Sequence, residues 1–168
     1  MAAIAAALKD SEVLDLLVGE FERAEHDLAR MANGEAASII LSPSSFAYLD
    51  RRYAEQPRTT SAVWSRLGHP GQEARTIRQS WEWDPAAIAA GHAIDIAGVE
   101  AAVWAETITD FADLGRLLLP RLPGVADRAW SLDSAVSWEN YRAALAGHSR
   151  WWRHRGWQYF DSSLVPWT

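Results

Sequence analysis

Two aromatic and acidic couples carry the chemistry in this chain. Trp104 and Glu106 stand two residues apart at the end of an apolar run, and Tyr48 and Asp50 repeat that spacing just past another. If Ile96 to Ala105 is a strand, alternate residues face opposite sides. Val99, Ala101, Val103 and Ala105 then share one face, and Glu100, Ala102, Trp104 and Glu106 the other. Two carboxylates on one buried strand face cost several kcal/mol unless each finds a partner. An indole beside a carboxylate suits a pyranose ring, whose C-H face stacks on the aromatic plane while its hydroxyls donate to the acid. The competing reading pairs Glu100 and Glu106 with arginines and gives the face a structural role only.

The surrounding elements must position these couples. From Ala2 to Met31 alanine, leucine and acidic residues dominate, with Leu14, Leu17, Phe21 and Leu28 at helical intervals, until Asn33-Gly34 ends the pattern. Ala37 to Leu41, closed by Ser42-Pro43, has the length and paired isoleucines of a buried strand. Glu55 to Ser80 is polar and reads as a long loop, with Trp81 and Trp83 either anchoring it or rimming a site. A short helix begins at Pro85 and ends by Gly91. Thr109 or Asp110 caps a helix that Pro120 and Pro123 must bend or break, with Trp130 packing it inward. A last helix follows Ser137, places Trp138, Tyr141, Leu145, His148 and Trp152 on one side, and stops at Gly156. An aromatic tail, Trp157 to Thr168, closes the chain.

Composition excludes several classes of function. The chain has 168 residues, 49% hydrophobic and 23% charged, the profile of a folded domain. Without cysteine there is no disulfide framework, thiolate metal site or cysteine nucleophile. A net charge of -6 argues against a nucleic-acid partner. No apolar run approaches the roughly 18 residues of a membrane span, and Ala2 to Leu8 lacks the form of a signal peptide, so at face value the chain is unexported and cytoplasmic. The five histidines show no metal-ligand spacing, and no cofactor is expected. Ten tryptophans exceed what a core alone requires, and aromatic faces hold flat or ring-shaped ligands.

Several blocks, in order, resemble one family. They are Ile39-Ile40-Leu41-Ser42-Pro43 with Ala47-Tyr48-Leu49-Asp50, then Trp83-Asp84-Pro85, then Gly98-Val99-Glu100-Ala101-Ala102-Val103-Trp104-Ala105-Glu106-Thr107. Leu118-Leu119-Pro120-Arg121-Leu122, the run Val125 to Ser131, and Leu164-Val165-Pro166-Trp167 continue the series. Together they are similar to the closing part of the family-twenty glycoside hydrolases, the β-N-acetylhexosaminidases.

The resemblance covers residues 27–168 and leaves 1–26 as a helical segment without a counterpart. It implies an α/β fold, a partial (β/α)8 TIM barrel comprising the last two strands, Ala37 to Leu41 and Gly98 to Trp104, with flanking helices and a C-terminal helix. It also implies substrate-assisted hydrolysis of terminal N-acetylglucosamine or N-acetylgalactosamine, in which the acetamide oxygen of the sugar attacks C1. Tyr48 matches the tyrosine that hydrogen-bonds that oxygen, Trp104 the tryptophan stacking under the sugar, and Glu106 the acid holding O4 and O6. Asp50 matches a further hydroxyl-binding aspartate, and Trp64 a pocket-wall tryptophan, although the loop around Trp64 departs from the family spacing.

The general-acid glutamate of the family follows an aspartate directly, and no such Asp-Glu pair occurs here. A full barrel takes about 250 residues, so the resemblance implies the sugar-binding wall without the acid. The alternative is a non-catalytic module that binds amino sugars or docks on a partner supplying the missing strands. Unpaired strand edges make self-association a further expectation.

Overall fold

A computed structural model of the chain describes residues 37–89, 94–131 and 136–168. The amino-terminal helical reading, the division after residue 26 and the Gly91 helix end lie outside these residues.

Two strands, β1 (Ala37–Leu41) and β2 (Ile94–Val99), pair in parallel, with a register shift between Ile39 and Ile40. The β1 boundaries match the apolar run read from the sequence. The expected second strand does not: it begins two residues before Ile96 and ends before Glu100. The reason lies in its partner. Pro43 turns the chain into a single helical turn, α1 (Ser44–Ala47), so β2 has no continuous ladder to follow past Val99. Pairing resumes only at the isolated bridge between Tyr48 and Ala102. Glu100 and Glu106 are therefore not on a strand face, and both are exposed.

The segment expected to be a loop carries a 3-10 turn, Ala62–Ser65, and a helix, α2 (Ile77–Trp81). Thr76 starts α2 with a reciprocal capping box, its hydroxyl accepting from the Gln79 N–H at 3.0 Å while the Gln79 side chain accepts from the Thr76 N–H at 2.9 Å. Helix α3 (Pro85–Ala89) begins at the expected proline.

Asp110 caps α4 (Phe111–Leu118), its side chain accepting from the Asp113 N–H at 2.7 Å. The predicted break falls at Pro120, which follows a cis Leu119-Pro120 bond. Helix α5 (Arg121–Trp130) then starts, and it tolerates Pro123 in its first turn, where an N–H has no intrahelical partner. Trp130 does not pack inward: it is 86% exposed. The buried side of α5 carries Arg121, Gly124, Val125 and Arg128, and a residue two beyond Arg128 falls on the far side of the helix.

The last helix, α6 (Trp138–His154), starts after its Ser137 cap, and Gly156 follows its end with φ of 69°, the left-handed conformation that favours glycine. The main core gathers Ile77, Trp81, Leu119, Trp138, Tyr141, Leu145, Trp152 and Val165. Trp81 stacks on Tyr141 with centroids 4.7 Å apart and donates its indole N–H to Asp127 at 2.8 Å. Trp81 is thus an anchor, and Trp83 is also buried, stacked on Phe46. The tail folds back onto the body through Phe160, whose N–H donates to the Leu119 carbonyl, and through a bridge between Pro57 and Ser162. No helix among the described residues is long and apolar enough to cross a membrane.

Candidate functional site

The lapse in the β1 and β2 ladder builds the candidate site. The N–H of Glu100 donates to Leu41 O, the N–H of Ala102 to Ala47 O, and the N–H of Leu49 to Ala102 O, so the two chains separate around α1 and then rejoin. An open cleft of about 240 Å³ occupies this interval, lined by Ser42, Tyr48 and residues 100–104. Rejoining at Tyr48 and Ala102 brings the Tyr48 and Trp104 rings to 6.2 Å, tilted by 57°. Trp104 remains 50% exposed, which leaves much of its indole open to a ligand.

Asp50 lies two residues beyond Tyr48 and is buried, and neither of its carboxylate oxygens has a hydrogen-bond partner among the described residues. Burial pushes its pKa above the usual carboxylate range and the negative charge of Glu106 adds to the rise, while its own amide, His69 and the Trp104 amide pull the other way. Asp50 and Glu106 are thus electrostatic neighbours. His69 joins them through the chain: its N–H donates to Asp50 O at 2.8 Å, and its Nδ1 accepts from the Gly71 N–H at 3.1 Å. In the neutral ring that leaves the proton on Nε2.

Glu106 sits in a turn closed by the Ile108 N–H donating to Ala105 O at 3.1 Å. Neither Glu100 nor Glu106 pairs with an arginine among the described residues, where the arginines of the ion pairs engage Asp113, Glu73, Glu82, Asp127 and Glu139. The purely structural reading of these two glutamates thus finds no partners among the described residues. Trp64 stands elsewhere. Its ring packs edge-on against Phe160 at 4.9 Å and Tyr53 at 6.3 Å, and of the expected site residues only Tyr48 and Trp104 line the cleft, whereas Trp64, Asp50 and Glu106 do not.

Behind the site, Arg121 is 2% exposed and donates to the carbonyls of Arg51 and Arg75, each at 2.6 Å, and of Arg52 at 3.0 Å. Its guanidinium lies 3.8 Å from the Tyr53 ring centroid. This clamp holds the segment that follows Asp50. Sequence reasoning missed it, as it missed the roles of His69 and the buried Asp113, because the partners that tie them to the site, Arg51 and Arg75, Asp50, and Arg66, lie far along the chain. The Asp110-to-Asp113 interval was a local cue to the start of α4 but not to what Asp113 binds. No group of three or more His, Cys, Asp or Glu suited to a metal ion occurs among the described residues.

Comparison with known proteins matches residues 8–133 to the glycosyl hydrolase family 20 catalytic domain. A β-N-acetylhexosaminidase of Cellulomonas fimi is 35% identical over 132 residues, covering 78% of this chain and 25% of that protein. A β-hexosaminidase of Akkermansia muciniphila is 32% identical, covering 66% of this chain and 21% of its own length. Among solved structures, the family 20 β-N-acetylhexosaminidase of Streptomyces coelicolor A3(2) superimposes with a TM-score of 0.67 at 38% identity. A mutant Streptomyces plicatus β-hexosaminidase in complex with its product GlcNAc gives 0.68 at 33%. Each superposition covers 88% of this chain and 28% of the other. The chain therefore spans about a quarter of the length of these relatives. Over the part that it spans, it belongs to glycosyl hydrolase family 20, a family of glycosidases.

Proposed function

We propose that the cleft between Tyr48 and Trp104 is the sugar-binding wall of a β-N-acetylhexosaminidase, and that β1 and β2 are the last two strands of a (β/α)8 barrel. The observation that carries this reading is the meeting of the Tyr48 and Trp104 rings in an open cleft just past the carboxyl ends of two parallel strands, with the buried Asp50 two residues beyond Tyr48. Active sites of such barrels lie at that end. A terminal N-acetylglucosamine or N-acetylgalactosamine stacks its C-H face on Trp104. The Tyr48 hydroxyl donates to the acetamide oxygen, which holds that oxygen beneath C1 for its attack. Asp50 and Glu106 accept from sugar hydroxyls, and a hydroxyl delivered to Asp50 satisfies lone pairs that otherwise cost free energy by burial. The product complex of the Streptomyces plicatus relative agrees with this class of ligand.

The sequence holds no adjacent Asp-Glu pair to protonate a leaving group and orient the acetamide. The chain by itself therefore binds an amino sugar without cleaving it, and hydrolysis requires an Asp-Glu pair that this sequence does not hold. The test has two arms. Incubation of the purified chain with 4-nitrophenyl N-acetyl-β-glucosaminide should release no nitrophenol, and steady turnover would refute the absence of an acid. Titration with the N-acetylglucosamine thiazoline, a mimic of the cyclised intermediate, should give saturable heat, and no heat at any concentration would refute the sugar wall.

A further inference from the structure

We propose that Asp113 is a positioning residue for Glu106, acting through a latch between the Arg66–Gly68 turn and the turn that presents Glu106. The inference rests on the reading of the cleft given above. Glu106 and Thr107 form the corner of the Ala105–Ile108 turn, and Glu106 itself is exposed, so its own packing does not fix where its carboxylate points. Thr107 is held instead. Its hydroxyl accepts from the Gly68 N–H at 2.9 Å and its carbonyl accepts from Arg66 Nη1 at 3.1 Å.

Asp113, buried at the start of α4, holds the arginine that makes the second of these contacts. Its two oxygens accept from Arg66 Nη2 at 2.9 and 2.8 Å, and Oδ2 also accepts from the Thr109 N–H at 3.1 Å and hydroxyl at 2.7 Å. One carboxylate thus fastens both the loop ahead of His69 and the chain three residues after Glu106. Gly68 makes the close approach possible: its φ is 96°, and a Cβ there would lie 2.8 Å from Arg52. The same turn leads into His69, whose N–H binds the Asp50 carbonyl, so the latch also sets the spacing between Asp50 and Glu106. With these charge-assisted bonds removed, Glu106 swings with its turn and its grip on a sugar hydroxyl loosens, while Trp104 and Tyr48 keep their places.

The experiment compares N-acetylglucosamine with its 6-deoxy analogue by calorimetric titration of the full chain, well below every variant's melting point. The wild type should prefer N-acetylglucosamine by about tenfold, the worth of one hydrogen bond to a charged group. Glu106→Gln should erase most of that preference. Asp113→Asn should do the same, weakening N-acetylglucosamine about tenfold more than it weakens the analogue, which keeps only the O4 contact. If Asp113→Asn fails to fold, Thr107→Val removes the contact to Gly68 alone and should lower the preference by about threefold. A latch variant that keeps the wild-type preference, or weakens both ligands equally, overturns the proposal while the sugar wall stands. A Glu106→Gln variant that discriminates like the wild type overturns the role of Glu106 in the cleft, and the latch proposal with it.

Discussion

Replacing Trp104 by alanine separates a ligand platform from a packing residue. An aromatic side chain offers roughly 150–250 Å², and Trp104 is 50% exposed, so on the order of 100 Å² of it is open. A pyranose resting on one ring face covers about half of that, and at about 25 cal/mol per Å² its burial contributes about 1.3 kcal/mol. The Trp104→Ala chain should therefore bind N-acetylglucosamine thiazoline about tenfold more weakly than the wild type. Trp104→Phe keeps a flat face and should lose about threefold. Because half of the ring is already in solvent, truncation should lower the unfolding free energy by no more than about 1 kcal/mol. Isothermal titration calorimetry measures the affinity, and urea denaturation followed by circular dichroism supplies the stability control. Unchanged affinity, or a phenylalanine variant as poor as the alanine variant, would refute stacking on Trp104.

The remaining predictions concern stability and association. Asp50 has a folded pKa raised by burial and by Glu106, so the stability that its proton contributes is fully present below the unfolded carboxylate value of about 3.9 and is lost as pH rises through the folded value. Asp50→Asn should therefore melt higher than the wild type at pH 7, with the gap closing toward pH 3; a lower melting point at neutral pH would count against the buried charge. Arg121→Ala strands the carbonyls of Arg51, Arg52 and Arg75 and should cost about 3 kcal/mol or more in urea denaturation; a loss below about 1 kcal/mol would show that the clamp is dispensable. Among the described residues β1 and β2 pair only with each other and Ile40 is 63% exposed, so light scattering should give a mass above the monomer at micromolar concentration. A monomer at every concentration would contradict that expectation.

What the sequence disclosed was the part governed by neighbours along the chain. β1 is an apolar run closed by a proline, α6 lies between a serine cap and a glycine stop, and Pro120 divides two helices. Where the outcome depended on a distant segment, local pattern failed. β2 stops because β1 turns away, and Trp130 is exposed because of which side of α5 is buried. The turn that carries Glu106 is tied at Thr107 to Arg66, which Asp113 holds in turn, residues forty positions before Glu106 and seven after it. The helix α2 was missed for a different reason, since the Thr76 and Gln79 capping box was visible but lay inside a polar stretch without apolar periodicity. The aromatic and acidic couples themselves were legible as residue types. The approach of Tyr48 to Trp104 was legible only through family resemblance, because the strand parity invoked for Trp104 and Glu106 does not extend that far.

Between the pairings of Leu41 with Val99 and of Tyr48 with Ala102, one chain runs through Ser42 to Ala47 while its neighbour spends only Glu100 and Ala101. That mismatch in path length sets the aperture. Adding or deleting a residue among Ser44, Ser45 and Phe46 would change that path difference and with it the width of the opening, and would also re-aim Tyr48 at the end of the turn.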